Sequence, residues 1–127
     1  MSSISVISSQ IAYQYLKNQI SSDVEEFWVL ALSSKKCLLA SRMIFRGTVD
    51  RCVIHPRDIF RFAIQQNASS LLVAHNHPSG DCKPSSEDVR ITDNLIQAAQ
   101  LLQIPIVDHL VLTTETYYSF KDRGHII

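Results

Sequence analysis

The stretch from His75 to Asp88 constrains the fold more than any other part of the chain. It follows an apolar run, Leu71 to Ala74, that predicts a buried strand, and it precedes an amphipathic segment, Val89 to Ile104, that predicts a helix. Residues i and i+2 of a strand point to the same face, so His75 and His77 can point at one spot. The turn can then fold Asp88, in the first turn of the helix, back onto that spot.

These three side chains have the chemistry of a metal site. Two imidazoles and one carboxylate are a common ligand set for catalytic zinc, which keeps its fourth position for water. The sequence therefore predicts one zinc ion per chain, bound by His75, His77 and Asp88. The same ligands also suit iron, cobalt or manganese. Cys82, which lies in the loop between them, is a further candidate ligand that ranks below Asp88.

A zinc hydrolase also needs a base for the attacking water and a hydrogen-bond donor for the oxyanion. Glu25 and Glu26 begin an apolar strand, where a carboxylate can lie close to a metal that the neighbouring strand binds. One of these two glutamates is therefore the candidate base. Ser85 is placed to serve the oxyanion. Simpler interpretations exist for each: a solvated strand start for the glutamates, and for Ser85-x-x-Asp88 a helix-capping pattern, which is favoured when that pattern is taken alone.

Asp108 and His109 follow on a later strand. They can orient a metal ligand by hydrogen-bonding to it without contacting the metal, or they can form hydrogen bonds that stabilise only the strand. The sequence leaves both interpretations open.

The rest of the chain predicts the order α-β-β-β-α-β-α-β-β. This order indicates a mixed sheet with helices packed on it, in the α/β to α+β range. The predicted helices cover residues 2–20, 55–67 and 85–104, and the predicted strands cover 25–32, 37–45, 48–54, 71–75, 106–113 and 117–120.

Composition limits the setting in which such a chain works. The 127 residues predict a single domain, with an N-terminal helix within 1–22 and a metal-binding core over 25–124. The net charge of zero offers no long-range attraction to DNA or to anionic lipid, so DNA binding is not supported. No apolar run reaches the 18 residues of a membrane span. Three scattered cysteines and the lack of a signal-peptide pattern indicate a cytoplasmic protein with reduced thiols.

The spacing around the histidines resembles a known family. His75-x-His77, seven residues, Ser85, two residues and Asp88 resembles the JAMM motif of JAB1/MPN metalloprotease domains. From about Glu25 to Gly124 the chain resembles, more narrowly, the RadC branch of that superfamily. The matching islands are His75–Asp81, Pro84–Asp88, Phe45–Thr48, His55–Arg57, Asn67–Ala68, Asp108–His109 and Tyr118–Phe120.

The resemblance implies a fold and a set of roles. The fold is a cytidine-deaminase-like three-layer α-β-α sandwich, of the α/β class, that binds one zinc ion. The ligand roles pass to His75, His77 and Asp88, the general acid/base role to Glu26, and the oxyanion-side hydroxyl to Ser85. The remaining candidates, which would orient the site without binding the metal, are Asn76, Asp108 and His109.

Two departures from the family pattern are visible. Asn76 replaces the serine or threonine usual in deubiquitinating members, although it suits the RadC branch. RadC proteins usually also carry an N-terminal helix-hairpin-helix DNA-binding region. This chain has room for one helix there, so we expect a short form or an excised domain.

Three functions are compatible with these observations. The first is a zinc-dependent hydrolase that cleaves a peptide or isopeptide bond in a protein substrate. The second is a binding module of DNA repair or replication, with a structural metal and no hydrolase activity. The third is a metal-free scaffold, for which Thr48 to Ile54 is the expected site of self-association into a homodimer.

Overall fold

The computed structural model describes residues 4–21, 23–47 and 54–126. Within these ranges the chain forms three helices and five strands. In chain order they are α1 (Ser9–Leu16), β1 (Glu25–Leu32), β2 (Leu38–Gly47), α2 (Pro56–Gln65), β3 (Ser70–Asn76), α3 (Ser86–Leu102), β4 (Ile106–Leu112) and β5 (Tyr117–Ser119).

The five strands form one mixed sheet in the order β2-β1-β3-β4-β5. All neighbouring pairs are antiparallel except β3 and β4, which run parallel. A parallel pair needs a crossover connection, and α3 supplies it. The central strands β1 and β3 are buried along almost their whole length, which agrees with their unbroken apolar sequences.

Alternation along the strands divides the core into two layers. Phe27, Val29 and Ala31 point to one side of β1, where they pack with residues of α2 and α3. Leu30 and Leu32 point to the other side and pack with α1. We call these sides the α2/α3 face and the α1 face. The sheet therefore lies between two helical layers, and the predicted three-layer α/β architecture is confirmed.

The predicted bounds of the first helix, residues 2–20, are wrong at both ends, because α1 covers Ser9–Leu16. Residues 4–6 are extended and lie against the start of β2, with hydrogen bonds from Val6 N to Lys36 O (2.8 Å) and from Leu38 N to Ile4 O (2.7 Å). The helix begins only after Ser8, whose side chain accepts a hydrogen bond from the Ile11 amide. A serine cap fixes the helix start more firmly than the apolar spacing that suggested residue 2.

The other predicted elements agree with the structure to within one or two residues at most ends. The third predicted strand, residues 48–54, lies outside the described residues apart from Ile54, so it stays a prediction. No helix in the described ranges is both long and apolar enough to cross a bilayer.

The sheet brings three chain segments to one edge. β1 and β3 are antiparallel, so the start of β1 lies beside the end of β3, with Phe27 opposite His75. The loop after β3 leads directly into α3, whose first turn returns to the same edge. The end of β3, the start of β1 and the start of α3 therefore surround one cleft.

Candidate metal centre

Three side chains converge at this edge of the sheet. The Nε2 atom of His75 lies 2.9 Å from Asp88 Oδ1 and 3.2 Å from His77 Nε2. The Nε2 atom of His77 lies 3.1 Å from Asp88 Oδ2. Ligands about 2.0–2.1 Å from a tetrahedral zinc ion lie about 3.3 Å from one another, so the spacing suits one small metal ion. In the part of the chain that the structure describes, this is the one cluster of three or more potential metal ligands.

Local structure explains the convergence. His75 and His77 are two residues apart on an extended chain, and the His77 amide continues the β3–β4 ladder by donating to Leu112 O at 2.8 Å. Gly80, with a φ of 91°, then turns the chain away from the sheet. Asp88 is held at the start of α3 by a capping box with Ser85.

The capping box and the metal cluster share one carboxylate. Asp88 Oδ2 accepts the Ser85 amide at 2.8 Å, and Ser85 Oγ accepts the Asp88 amide at 3.1 Å. The capping interpretation of Ser85 is therefore confirmed. Ser85 also lines the cleft, and because its Oγ accepts from Asp88, its own O–H remains able to donate. The capping and oxyanion roles are compatible, and the second stays a prediction.

The electrostatics favour a cation at the cluster. Burial raises the pKa of Asp88, but hydrogen bonds with His75 and His77 and from the Ser85 amide outweigh it, so the net pKa lies well below the usual value. The hydrogen bond with Asp88 raises the pKa of His77. Asp88 is thus a nearly buried carboxylate at neutral pH, and a buried anion requires a cationic partner or hydrogen bonds.

His77 presents the correct nitrogen for a metal. Its Nδ1 atom lies 2.8 Å from the carbonyl oxygen of Asp81. A carbonyl can only accept, so Nδ1 carries the hydrogen and Nε2 is the nitrogen that faces the cluster. A hydrogen bond to the outer nitrogen of this kind is typical of histidine ligands. The donor set therefore fits a divalent metal ion.

His109 contacts the ring of His75 on the side that faces away from Asp88. Its Nε2 atom is 2.9 Å from His75 Nδ1, and its fully buried ring stacks on Phe120 with centroids 4.7 Å apart. Burial, the largest influence, lowers the pKa of His109 well below its usual value. The structure thus favours the interpretation in which this residue contacts a ligand from behind.

Asp108 points to the opposite side of β4. Its carboxylate accepts hydrogen bonds from Ser119 Oγ (2.6 Å), from the Lys121 amide (3.0 Å) and from the His109 amide (2.7 Å). Burial raises the pKa of Asp108. Its described hydrogen bonds serve β4 and the turn after β5, which favours the interpretation in which Asp108 serves only the strand.

The placement expected for Glu26 is wrong. Its Oε1 atom accepts from Trp28 Nε1 at 3.0 Å and from the Ser21 amide at 3.1 Å, and its Oε2 atom lies 3.5 Å from Arg46 Nε. Trp28 packs on the α1 face, away from the histidine cluster. The carboxylate of Glu26 is therefore separated from the cluster by the sheet.

Glu25 occupies the position that Glu26 was expected to fill. Phe27 pairs with His75, so the same antiparallel register extended by two residues sets Glu25 opposite His77. Glu25 lines the cleft together with His75, His77 and Asp88. Because side chains alternate along a strand, one of the two glutamates had to face the His75, His77 and Asp88 cluster, but choosing between them required the register of β1 on β3.

The side chain of Asn76 binds the backbone at the start of β1. It lies between the two histidines, so its side chain points to the α1 face. Its Nδ2 atom donates to Ser21 O (2.6 Å) and to Val24 O (2.9 Å), and its Oδ1 atom accepts the Glu26 amide (2.7 Å). These bonds fix the backbone on both sides of Glu25. Asn76 therefore holds the part of the chain that carries Glu25, and its role in orienting the site stays a prediction.

The cleft above the cluster has a volume of about 580 Å³ and is open to solvent. Its lining residues are Glu25, Phe27, His75, His77, Pro78, Ser79, Ser85, Glu87, Asp88 and Ile91. Cys82, the lower-ranked ligand candidate, is a half-buried free thiol outside the cluster. A space of this size is in the range of pockets that take a small ligand or a short segment of a larger one.

Sequence reasoning missed Thr92. This residue lies one helical turn after Asp88 on α3, and its side chain is 2 % exposed. Its hydroxyl donates to Asp88 O at 2.8 Å and also contacts His109 Nδ1. A threonine on an apolar helix face was the available signal, but such a residue usually bonds only to its own helix.

Comparison with known proteins gives a consistent assignment. The family model of the RadC-like JAB domain matches residues 6–125. A UPF0758 protein of Thermotoga maritima is 41 % identical over 119 residues, which are 94 % of this chain and 54 % of that protein. A UPF0758 protein of Synechocystis sp. is 53 % identical over 97 residues, 76 % of this chain and 40 % of that protein. The chain thus spans about half the length of these curated relatives.

Proposed function

Because the chain belongs to the RadC-like JAB domain family, we propose that it is a zinc-dependent hydrolase that cleaves a peptide or isopeptide bond. One observation carries the proposal: Glu25 lines the same cleft as the converging side chains of His75, His77 and Asp88. A base beside a three-ligand set with an open side is the arrangement that metal-assisted hydrolysis requires.

Each residue has a defined task in this proposal. His75, His77 and Asp88 would hold one divalent ion, which would acidify a water molecule and polarise the scissile carbonyl. Glu25 accepts the proton of the attacking water and returns it to the amine as the carbon–nitrogen bond breaks. The Ser85 O–H donates to the oxyanion that develops on the carbonyl.

The first test is metal content. We expect about one zinc ion per chain in the purified, untagged protein and a loss of most of it in Asp88→Ala, because a three-ligand site that loses its carboxylate also loses its charge balance. Elemental analysis of both proteins after dialysis measures this. Zinc-free wild-type protein after incubation with zinc would contradict the proposal.

The second test is hydrolysis. The metal-loaded protein is incubated with a panel of fluorogenic peptides and lysine isopeptides, with and without a chelator. We expect cleavage of at least one substrate that stops with the chelator and returns when zinc is added. Loaded protein that cleaves no peptide or isopeptide bond would favour the alternative function.

The alternative is a DNA-repair or replication-associated binding module with a structural metal. Structural zinc sites are closed by four protein ligands, whereas three side chains meet here beside a cleft among the described residues. The balanced charge of the chain also gives no support for DNA binding. Tight, salt-dependent binding to DNA together with a lack of hydrolysis would establish this alternative.

We further propose a cytoplasmic location and a protein substrate. Scattered cysteines support the first, because disulfide-bonded extracellular domains usually carry paired cysteines. Cell fractionation would test it.

We also propose that the chain forms a homodimer through Thr48 to Ile54. Apart from Ile54, this segment lies outside the described residues. Sedimentation analysis of the intact chain would test the homodimer.

A further inference from the structure

We propose that a second cavity, beside the candidate metal cleft, is a substrate subsite that binds a carboxylate, and that Lys17 selects for this group. The inference rests on the proposed function and adds a property of the substrate. This property is an acidic side chain, or a carboxyl terminus, on one side of the bond that is cleaved. We call the cavity, whose lining includes Lys17, His77, Pro78 and Thr114, the Lys17 pocket.

The Lys17 pocket adjoins the metal cleft. It has a volume of about 260 Å³, is open to solvent and lies among the end of α1, the turn after β3 and the residues after β4. A space below about 300 Å³ suits one group of a larger ligand rather than a whole ligand. His77 and Pro78 line both the pocket and the cleft. A substrate that crosses these two residues can therefore occupy both spaces at once.

The charged residues of the two spaces are opposite in sign. Among the described residues, the lining of the Lys17 pocket contains one lysine and no aspartate, glutamate or arginine. The lining of the cleft contains the carboxyl groups of Glu25, Glu87 and Asp88. Charge complementarity favours a substrate carboxylate beside Lys17 and disfavours one beside these three acidic residues. The complementary substrate therefore carries its negative group in the Lys17 pocket.

The pocket offers donors that the fold does not use. Within the described part of the chain, neither the Lys17 ammonium nor the Thr114 hydroxyl takes part in a hydrogen bond or ion pair. The amide of Asn76, in the same lining, is already bound to Ser21 O and to the Glu26 amide. A carboxylate can accept from an ammonium and a hydroxyl together. Lys17 and Thr114 are therefore the donors that a substrate carboxylate can use.

Packing holds Lys17 at the pocket. Its ammonium nitrogen lies 5.6 Å from the centre of the Tyr13 ring, which is a cation–π contact. The buried Tyr13 ring stacks on Tyr117 with centroids 4.7 Å apart, and its hydroxyl donates to Thr113 O at 3.4 Å. Tyr13 thus connects Lys17 to the segment that carries Thr114. A restricted lysine loses less side-chain entropy on binding a partner than an unrestricted one does.

A simpler role for Lys17 is to stabilise α1. A cation at the end of a helix interacts favourably with the helix dipole, and Lys17 caps α1, with its amide donating to Tyr13 O at 2.9 Å. This role predicts an effect on stability and none on the choice of substrate. The experiments below therefore measure binding and substrate preference.

The first experiment measures binding without cleavage. The full chain, labelled with ¹⁵N and stripped of metal, is titrated with capped hexapeptides that carry one glutamate at each position in turn, and with the matching glutamine peptides. We expect at least one glutamate peptide to shift the NMR signals of Lys17 and Thr114 more than its glutamine match does. The difference should shrink as salt is added, because exposed charges are screened. Equal shifts from all glutamate and glutamine pairs would overturn the inference.

A third peptide series identifies the source of the carboxylate. The glutamine peptides are repeated with a free carboxyl terminus in place of the cap. Shifts at Lys17 and Thr114 from this series alone would assign the pocket to a chain end. Shifts from the capped glutamate peptides alone would assign it to an acidic side chain.

Matched variants test Lys17 itself. Lys17→Met removes the charge and retains an apolar stem over Tyr13, whereas Lys17→Arg retains the charge. Lys35→Met, in the turn between β1 and β2, removes a charge at the opposite end of β1 and is the control. An exposed ion pair changes an affinity about 1.5- to 5-fold. We expect a loss in that range for Lys17→Met and no loss for the other two variants. Unchanged affinity in Lys17→Met would contradict the inference.

The same variants are then tested in the zinc-loaded protein on a cleaved peptide. An interaction that is equal in the ground state and the transition state changes KM and not kcat. We expect Lys17→Met to raise KM for the glutamate peptide about 1.5- to 5-fold, with kcat and the glutamine peptide unaffected. A lower stability with unchanged KM would assign Lys17 to the helix dipole alone and overturn the subsite.

Failure of the subsite and failure of the proposed function are separate outcomes. If the zinc-loaded protein cleaves peptides with equal KM for glutamate and glutamine at every position, the subsite is wrong and the hydrolase stands. If the protein binds no zinc or cleaves no bond, the proposed function fails. The titration of the metal-free protein then still decides whether Lys17 binds a carboxylate.

Discussion

The two faces of the sheet differ sharply where β1 and β3 meet at the cleft. On the α2/α3 face, Glu25 and the histidines line an open cleft that contains the potential metal ligands. On the α1 face, Glu26 and Asn76 use their polar atoms on the backbone and on neighbouring side chains. The same two short stretches of sequence supply both arrangements. The difference shows that alternate residues of one strand can have separate tasks: one set lines the cleft, and the other set holds the neighbouring chain in place.

The largest expected contrast is between the two glutamates. We expect Glu25→Gln to retain zinc and to lower turnover about 10²–10⁴-fold, the usual contribution of a positioned general base. Glu26→Gln, one residue away on the α1 face, is the matched control and should retain most of the activity. Turnover and zinc content of both variants measure the contrast.

The reverse result would be decisive. If Glu26→Gln lost turnover and Glu25→Gln retained it, the assignment of the base from the register of β1 would be wrong. Equal losses in the two variants would indicate that the start of β1 has only a structural role.

Asn76 should give an intermediate effect, because it supports the chemistry from the opposite face. Asn76→Ala leaves Ser21 O, Val24 O and the Glu26 amide without this partner. The Glu26 amide is buried, and an unsatisfied buried group costs about 1–3 kcal/mol. We expect a lower free energy of unfolding in urea and a turnover that falls more than zinc affinity, since a shift of Glu25 misplaces the base.

A useful control for Asn76→Ala is Asn76→Asp, which retains an acceptor for the Glu26 amide but loses both donors. If the alanine variant lost zinc affinity in proportion to turnover, Asn76 would support the ligands rather than Glu25.

Trp28 should give the smallest effect. Trp28→Phe removes the Nε1 donor to Glu26 Oε1 and retains most of the apolar surface on the α1 face. A single partly buried hydrogen bond contributes about 0.5–1.5 kcal/mol. We therefore expect a small decrease in the free energy of unfolding and unchanged zinc affinity. A loss of zinc in this variant would show that the two faces are coupled.

Much of this arrangement follows from local sequence rules. The i, i+2 spacing of His75 and His77 and the capping pattern of Ser85 and Asp88 were enough to predict the cluster, because each depends on a few neighbouring residues. The apolar runs of β1 and β3 were equally clear. The fold class needed only the order of helices and strands.

The features that sequence reasoning missed depend on contacts between distant segments. The choice of Glu25 over Glu26 required the pairing of Phe27 with His75, which are 48 residues apart. The contact between the Thr92 hydroxyl and His109 forms only because α3 packs against β4. Neither contact leaves a periodic pattern in the sequence, because each side chain alone is compatible with an ordinary buried position.

The carboxylate of Asp88 has a consequence for folding. It closes the first turn of α3 through Ser85 and also belongs to the metal cluster. Any ion that binds the cluster therefore holds the helix start as well, and a ligand that binds only the folded state adds RT ln(1 + [L]/Kd) to stability. The start of α3 becomes a reporter of metal occupancy, whose amide protection from hydrogen exchange should rise and fall with the concentration of free zinc.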